Sequence, residues 1–520
     1  MVSWWMTAWY SSRSPCSSKP APFPARLQPQ SNSMPSRNPN GHRRGGTTRG
    51  RALAAWANAR PGLRLCPMSA KPAAERRWLW RMRRTLYLGM CDGPRGREPF
   101  GISDADRFRH LYAIGASGTG KSTLLHNLIA QELLSGEGCG LIDPHGDLAN
   151  AALGLVPPER SSDVALIDLA DRDRPAAFNP LYRVPEDRRA LVAANLVAAF
   201  KHIWHESWGP RLEYILLNAL MALLDAPDRA RPTLLAVPRL LTDANYRSWV
   251  LRHIRDPRVR AFWHDEFARY TERFASEALA PIQNKIGALL ASPAVRNVIG
   301  QWRSRIDIDQ LLNGRGILIV NLAKGSIGAE PAHLMGALIV ASVQSAAMAR
   351  SAVPEATRQP FHLIVDEFAY VVTGAFVDIL AEARKYRLAL TLAHQHLGQI
   401  DEKVRTAVLA NAGTIAAFRV GAEDAVTIAL ALGDIAAPAL GNLGRGEAWV
   451  RISPAGSLPV CHLVQTFAGM ESIPARRRRV LRCARERSSQ PRLVVEANLS
   501  GWLANKQGPA MVAGPFRSAG

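Results

Sequence analysis

Residues 110 to 123, HLYAIGASGTGKST, bring together the residue types that hold a phosphate chain. The pattern GxxxxGK[ST] is met at Gly115, Gly120, Lys121 and Ser122. The loop as a whole offers Gly115, Ser117, Gly118, Thr119, Gly120, Lys121, Ser122 and Thr123 to a nucleotide. Its glycines let successive N–H groups turn inward on phosphate oxygens at the start of the following helix, where the dipole favours negative charge. Lys121 reaches the β and γ phosphates and the Ser122 hydroxyl ligates Mg2+, so the expected cofactors are ATP and Mg2+. Kinases, switches, transporters and motors share such a loop, so it leaves open what the nucleotide drives.

Farther on, HLIVDEF closes an apolar run with two acids. Open α/β sheets gather their ligands at the carboxyl ends of strands, which places Asp366 to hold Mg2+ and Glu367 to orient and polarise an attacking water. Another run, LALTLAHQH, ends on Gln395, an amide able to bond the γ-phosphate or the water, or simply to cap the strand. His394 and His396 flank it on alternate faces with no acid at ligand spacing, which argues against a metal site there. Just before that strand, EARKY puts Arg384 and Lys385 at a helix end. They either complement the helix dipole or offer an arginine finger to a neighbouring subunit's nucleotide.

Elements must hold these groups and aim them. From about residue 85, short β-rich runs alternate with longer helical patterns, which implies an α/β fold with a mostly parallel sheet covered by helices. Strands are expected at 111–114, 140–143, 164–169, 316–322, 362–368, 388–394 and 413–420, with AWVRI and VCHLVQTF as later edge strands. Residues 185–310 offer no strand and read as an inserted all-helical domain. In it Leu212, Ile215, Leu216, Ala219, Leu220, Leu223 and Leu224 form one helix face begun by Gly209 and Pro210. The division is then 1–84, a basic segment unable to fold alone; 85–184, the first part of the core; 185–310, the insertion; 311–470, the second part; and 471–520, an Arg-rich flexible tail. A later true start, at Met68, Met82 or Met90, is an alternative for the first segment.

The formal charge of +22 resides in the ends, since residues 1–84 carry 16 Lys+Arg against Glu75 alone and residues 476–492 carry eight Arg against Glu486. The remaining chain is near neutral, so bulk charge does not reveal a basic groove in the core. Six cysteines without a CxxC pair argue against structural zinc or a disulfide framework. No window of about 18 uninterrupted apolar residues exists, the nearest being 334–349, so the expectation is a soluble cytoplasmic chain, at most peripheral to a membrane secretion complex.

In order along the chain, RHLYAIGASGTGKSTLL, LIDPHGDLA (with Asp143, His145, Gly146 and Asp147), FNPL, WGPRLEYIL, IVNLAKG, LIVDEF, EARKY and LAHQ form a combination far more specific than any one motif. Over roughly 85–470 the chain resembles the HerA/FtsK superfamily of hexameric DNA-pumping ATPases, most closely the TraG/TraD-like coupling proteins of conjugative and type IV secretion systems. The resemblance implies a RecA-like core, Walker A roles for Lys121 and Ser122, Walker B roles for Asp366 and Glu367, and a sensor role for Gln395. It also implies a trans-acting finger at Arg384, with Arg419 as competitor. As partners it implies sequence-independent DNA, further copies of the chain in a hexameric ring, and relaxase or secretion-channel proteins. A secretion ATPase moving protein cargo and an ATP-switched recruiting adaptor are the alternatives. Membrane-anchored relatives carry N-terminal transmembrane helices and HerA-type members open with a small β-barrel; the sequence displays neither pattern. The aromatic cluster of the insertion, Trp204, Trp208 and Trp263, reads as core packing or as a partner contact.

Overall fold

The computed structural model describes residues 85–504, apart from 95, 373–375 and 434; the basic segment 1–84 and residues 505–520 lie outside the described residues. Its strands are β1 (Thr85–Gly93), β2 (Gly96–Ser103), β3 (Leu111–Ile114), β4 (Gly138–Asp143), β5 (Val164–Asp168), β6 (Ile317–Asn321), β7 (Phe361–Val365), β8 (Leu388–His394), β9 (Thr414–Ala417), β10 (Glu447–Ile452) and β11 (Val460–Thr466). They form one sheet in the order β2-β1-β11-β10-β9-β3-β8-β7-β4-β6-β5. From β9 to β5 all pairings are parallel; β10, β11, β1 and β2 extend the sheet antiparallel.

Burial explains why the parallel strands were readable. Strands β3, β4, β6 and β7 are covered on both faces, so every residue is buried and the sequence is a continuous apolar run. In β10, by contrast, Ala448, Val450 and Ile452 are buried while Glu447, Trp449 and Arg451 are partly exposed, the period of two of a half-covered strand. The hairpin of β1 and β2 was not expected. Most of β2 is exposed, and β1 is held by pairing with β11, Gly89 opposite Thr466. It is also held by Gln131, whose side chain bonds both the N–H and the carbonyl of Tyr87 at 2.9 Å.

Helices cover both faces. On one side lie α1 (Lys121–Ser135) and α2 (Asp147–Leu153), packed with alternate strand residues such as Leu111, Ala113, Leu141 and Ile319. On the other, Tyr112, Ile114, Leu318 and Val320 pack with the helices that follow β5, including α3 (Arg189–Ile203) and α4 (Pro210–Asp225), and with α5 (Ala329–Ala349). Between β5 and β6 the described residues contain no strand. This helical insertion shares its apolar core with the sheet, and the described chain forms one compact unit. In α4 the expected stripe, Leu212 to Leu224, is buried, each large side chain contributing about 1.5–3 kcal/mol. Asn179 of the FNPL motif ties the insertion together by donating to the carbonyls of Pro232 (2.8 Å) and Trp302 (2.9 Å).

Helix α5 is the one described helix long and apolar enough to cross a membrane; it lies in the core instead, with Asn195 of α3 donating to Ser345 at 2.8 Å. Trp263 is buried among Phe262 and Phe267. Trp204 and Trp208 pack at the core margin with their N–H groups on Glu330 and Glu213. The cluster therefore packs as core. The expectation of a flexible tail from 471 is corrected for its first part: after α6 (Ala422–Leu432), α7 (Pro474–Ser488) and α8 (Arg492–Ala504) are helices. Val480 and Ala484, one turn apart, are buried in the same core as Val164 and Leu166 of the edge strand β5 and seat α7 on it. Arg485 adds a 2.7 Å bond to Asp171.

Candidate nucleotide site

The loop from β3 into α1 takes its shape from backbone that only glycine accepts readily. Gly118 has φ +76° and Gly120 φ +127°, and a Cβ on Gly120 would lie 3.1 Å from Cα of Gly446. A second contact of the same kind sits at Gly115, where a Cβ would meet that of Phe418 at 2.6 Å. The loop is then pinned from behind: Ala116 N–H donates to Arg419 O, and Gly446 N–H donates to Thr119 O, both at 2.8 Å. Thr119 Oγ1 closes the turn on Ala116 O at 2.8 Å. Ser117, Gly118 and Ser122 face solvent. No side chain caps the N-terminus of α1, so its first N–H groups remain available to an anion. The Lys121 ammonium is buried and donates to the carbonyls of Gly115 and Ala116.

The strand order does the rest. Because β8 lies between β3 and β7, its carboxyl end stands between the loop and the acids that follow β7. Asp366 is 7% exposed and Glu367 4% exposed. Asp366 N–H continues the β4 ladder onto Ile142 O at 3.0 Å, and Glu367 N–H donates to Asp366 Oδ1 at 3.1 Å. Glu367 itself takes the left-handed conformation, φ +45° and ψ +53°, unusual for a residue with a side chain and concentrated at sites where geometry is imposed. Beside them Asp143 ends β4, its oxygens accepting from the N–H groups of His145 (2.8 Å) and Ala149 (2.9 Å). Gly146, with φ +98°, passes so close to Asn321 that a Cβ would fall 2.4 Å from its Oδ1.

Electrostatics join the two halves. Burial pushes the Asp366 carboxyl up to about 6, and the neighbouring Asp143 and Glu367 add to the rise, with Lys121 opposing it. Burial lowers the Lys121 ammonium against the opposing pull of Glu367 and Asp366. Ammonium and paired carboxylates thus share one field. Buried acids crowded together in this way fit a cation: Ser122 and Asp366 are the residues that would hold Mg2+. Among the described residues no group of three or more His, Cys, Asp or Glu is placed to hold a metal ion by itself.

Gln395 follows β8, half-buried, and its N–H bonds the side chain of Gln399 at 3.1 Å. Gln399 is a residue the sequence did not single out. Its Oε1 also accepts from His396 N–H (3.2 Å), while its Nε2 donates to Glu367 Oε2 (3.5 Å), linking the Gln395 turn to the acid. Asp424 of α6 holds the same turn through Leu397 N–H at 3.1 Å. Gly446 was likewise missed, and in sequence only the GRG spacing at 444–446 hinted at a turn. His394 is fully buried against Phe368 and Tyr112, its imidazole lowered to about 3 by burial, so it is neutral packing.

Arg384 is not brought to this site. It is exposed in the turn before β8, at the amino-terminal edge of the sheet, a strand length of about 20 Å from the acids. Arg419 is exposed directly after β9, on the loop's own side, where its carbonyl holds Ala116.

No protein-family model matches the chain, and neither does any curated protein. Solved structures do. An unbound form of the bacterial conjugative coupling protein TrwBdeltaN70 is similar at TM-score 0.53 and 17% identity, over 72% of this chain and 89% of that one. The plasmid coupling protein TrwB in complex with the non-hydrolysable GTP analogue GDPNP is similar at TM-score 0.52 and 18% identity, over 72% and 89%. Its complex with ADP and Mg2+ gives TM-score 0.51 at 18% identity over the same shares. The fold is therefore the one seen in TrwB, a RecA-like core with a mostly parallel sheet and a helical insertion.

Proposed function

We propose that this chain is an ATP-hydrolysing motor that closes into a homo-oligomeric ring and moves DNA. The observation that carries the reading is the meeting of the Lys121 loop with Asp366 and Glu367 across the end of β8. Backbone N–H groups of residues 117–122 bind the phosphates, and Lys121 leaves its loop carbonyls for them. Mg2+, when bound by Ser122 and Asp366, neutralises phosphate charge. Glu367 accepts a proton from the attacking water, held in its strained backbone by the buried end of β7, while Gln395 aligns that water with the γ-phosphate. Nearby apolar packing of Tyr112, Phe368 and His394 keeps bulk water from behind the acids.

Arg384 lies at the far edge of the sheet from its own nucleotide loop, and the role we assign it is in trans, on a neighbouring subunit's nucleotide. Such heterologous contacts close into rings when the rotation permits, and a hexamer is the proposed number. Likeness of fold to TrwB, a conjugative coupling protein, favours DNA as cargo, with a relaxase or a secretion channel as further partners at the cytoplasmic side of a membrane complex. ATP turnover with and without duplex or single-stranded DNA tests this. DNA should stimulate the wild type; Glu367→Gln should bind ATP without turnover, and Lys121→Ala should lose binding. Turnover indifferent to DNA but raised by a secreted protein points to protein cargo, and recruitment untouched by Glu367→Gln points to an adaptor. Mixed Glu367→Gln and Arg384→Ala subunits, each inactive alone, should regain turnover if the arginine acts across an interface.

A further inference from the structure

Helix α7 carries the most concentrated charge among the described residues. Of its arginines, Arg485 bonds Asp171 and Arg477 bonds Asn150 at 2.8 Å, anchoring the helix to the body. Arg478, Arg479, Arg482 and Arg487 are exposed, and no described carboxylate lies within ion-pair distance of any of them. Arg478, Arg479 and Arg482 stand at i, i+1 and i+4, so they share one face. Like charges at i, i+3 and i, i+4 destabilise a helix, and Glu486 is the single acid in this one. A helix whose role was only to cover β5 would gain by interleaving acids.

We propose that the Arg478, Arg479 and Arg482 face of α7 is a sequence-independent docking surface for the phosphate backbone of nucleic acid. All eight basic residues from 476 to 492 are arginine and none is lysine, and the guanidinium fork matches phosphate oxygens two at a time. An acidic membrane surface is the weaker match. Interfacial helices bury an apolar face in the lipid, whereas in α7 Val480 and Ala484 are fully buried against the protein and Leu481 packs partly buried on the same core. The surface is separate from the nucleotide site: α7 packs on β5, the last strand of the sheet, with β6, β4, β7 and β8 between it and β3. It therefore does not depend on hydrolysis and is tested without nucleotide, so its failure leaves the motor reading standing, and the reverse.

The test uses the full chain and a fluorescent duplex of mixed sequence, with affinity read by anisotropy at several salt concentrations. Each phosphate contact contributes about 0.9 to the slope of log K against log salt, so the combined change R478Q, R479Q and R482Q should lower the slope by about 2.7. Between about 50 and 200 mM salt the wild type should then lose about forty-fold more affinity than the variant. The triple lysine variant should keep the wild-type slope and thermal midpoint, DNA-free ATP turnover should match wild type in both variants, and the glutamine variant, relieved of like-charge repulsion, should melt no lower than wild type. Equal slopes and affinities in wild type and the glutamine variant would overturn the proposal. So would loss of binding to phosphatidylserine vesicles with DNA binding intact.

Discussion

Replacing Asp366 by asparagine should make the protein more stable while removing its Mg2+-dependent turnover. The carboxyl is 7% exposed and carried from an ordinary value of 3.8 to about 6, first by burial and then by Asp143 and Glu367. That difference corresponds to about 3 kcal/mol of destabilisation of the charged form. Because the folded-state value lies above the unfolded one, the native state holds the extra proton in the window between. Wild-type stability therefore falls as pH rises from about 3.8 to about 6. Asp366→Asn has no proton to lose, and its Oδ1 can still accept from Glu367 N–H as the carboxylate does at 3.1 Å. Its advantage should be absent below pH 3.8, grow through the window and be complete above about 6. Urea midpoints measured from pH 4 to 8 read this directly; with a slope of about 3 kcal/mol per molar, the gain at neutral pH is about 1 M. Stability that is equal or lower in the variant at neutral pH, or a gain that ignores pH, would refute the reasoning. The same trade of stability for activity is common where a site gathers like charges.

Gly120→Ala should abolish nucleotide binding, because φ +127° strains any residue with a side chain and a methyl group 3.1 Å from Gly446 must push the loop aside, at a local cost of about 1–3 kcal/mol. Gly421→Ala, at φ −67° with open space around it, is the matched control and should bind a fluorescent nucleotide as wild type does. Gln399→Ala removes a hydrogen bond to a charged group worth about 1.5–3 kcal/mol, so kcat should fall roughly ten- to a hundred-fold with KM unchanged. A change confined to KM in steady-state assays would remove Gln399 from any part in aligning Glu367.

Much of the site was legible because its chemistry is local. Nine residues from Gly115 to Thr123 contain both the donors and the glycines that aim them, and a buried parallel strand announces itself as an apolar run ending on Asp366 or Gln395. The Arg-rich composition of 476–492 suggested a tail, because Val480, Leu481 and Ala484 are too few apolar positions to show a periodic face; only the core beside β5 gives them something to pack on. Strands β1 and β2 were hidden for a related reason. They pair with each other, but the hairpin joins the sheet only through β1 on β11, whose residues lie far along the chain.

By itself, then, the amino-acid order determined the kind of chemistry, phosphate held by a loop and water by paired acids, since bonded neighbours and strand period encode both. Tertiary structure alone decided which distant groups meet. It put β8 between loop and acids, set Gln399 and Gly446 behind them, and left Arg384 at the opposite edge, because relative position across a sheet depends on strand order and direction, which no short window of residues contains.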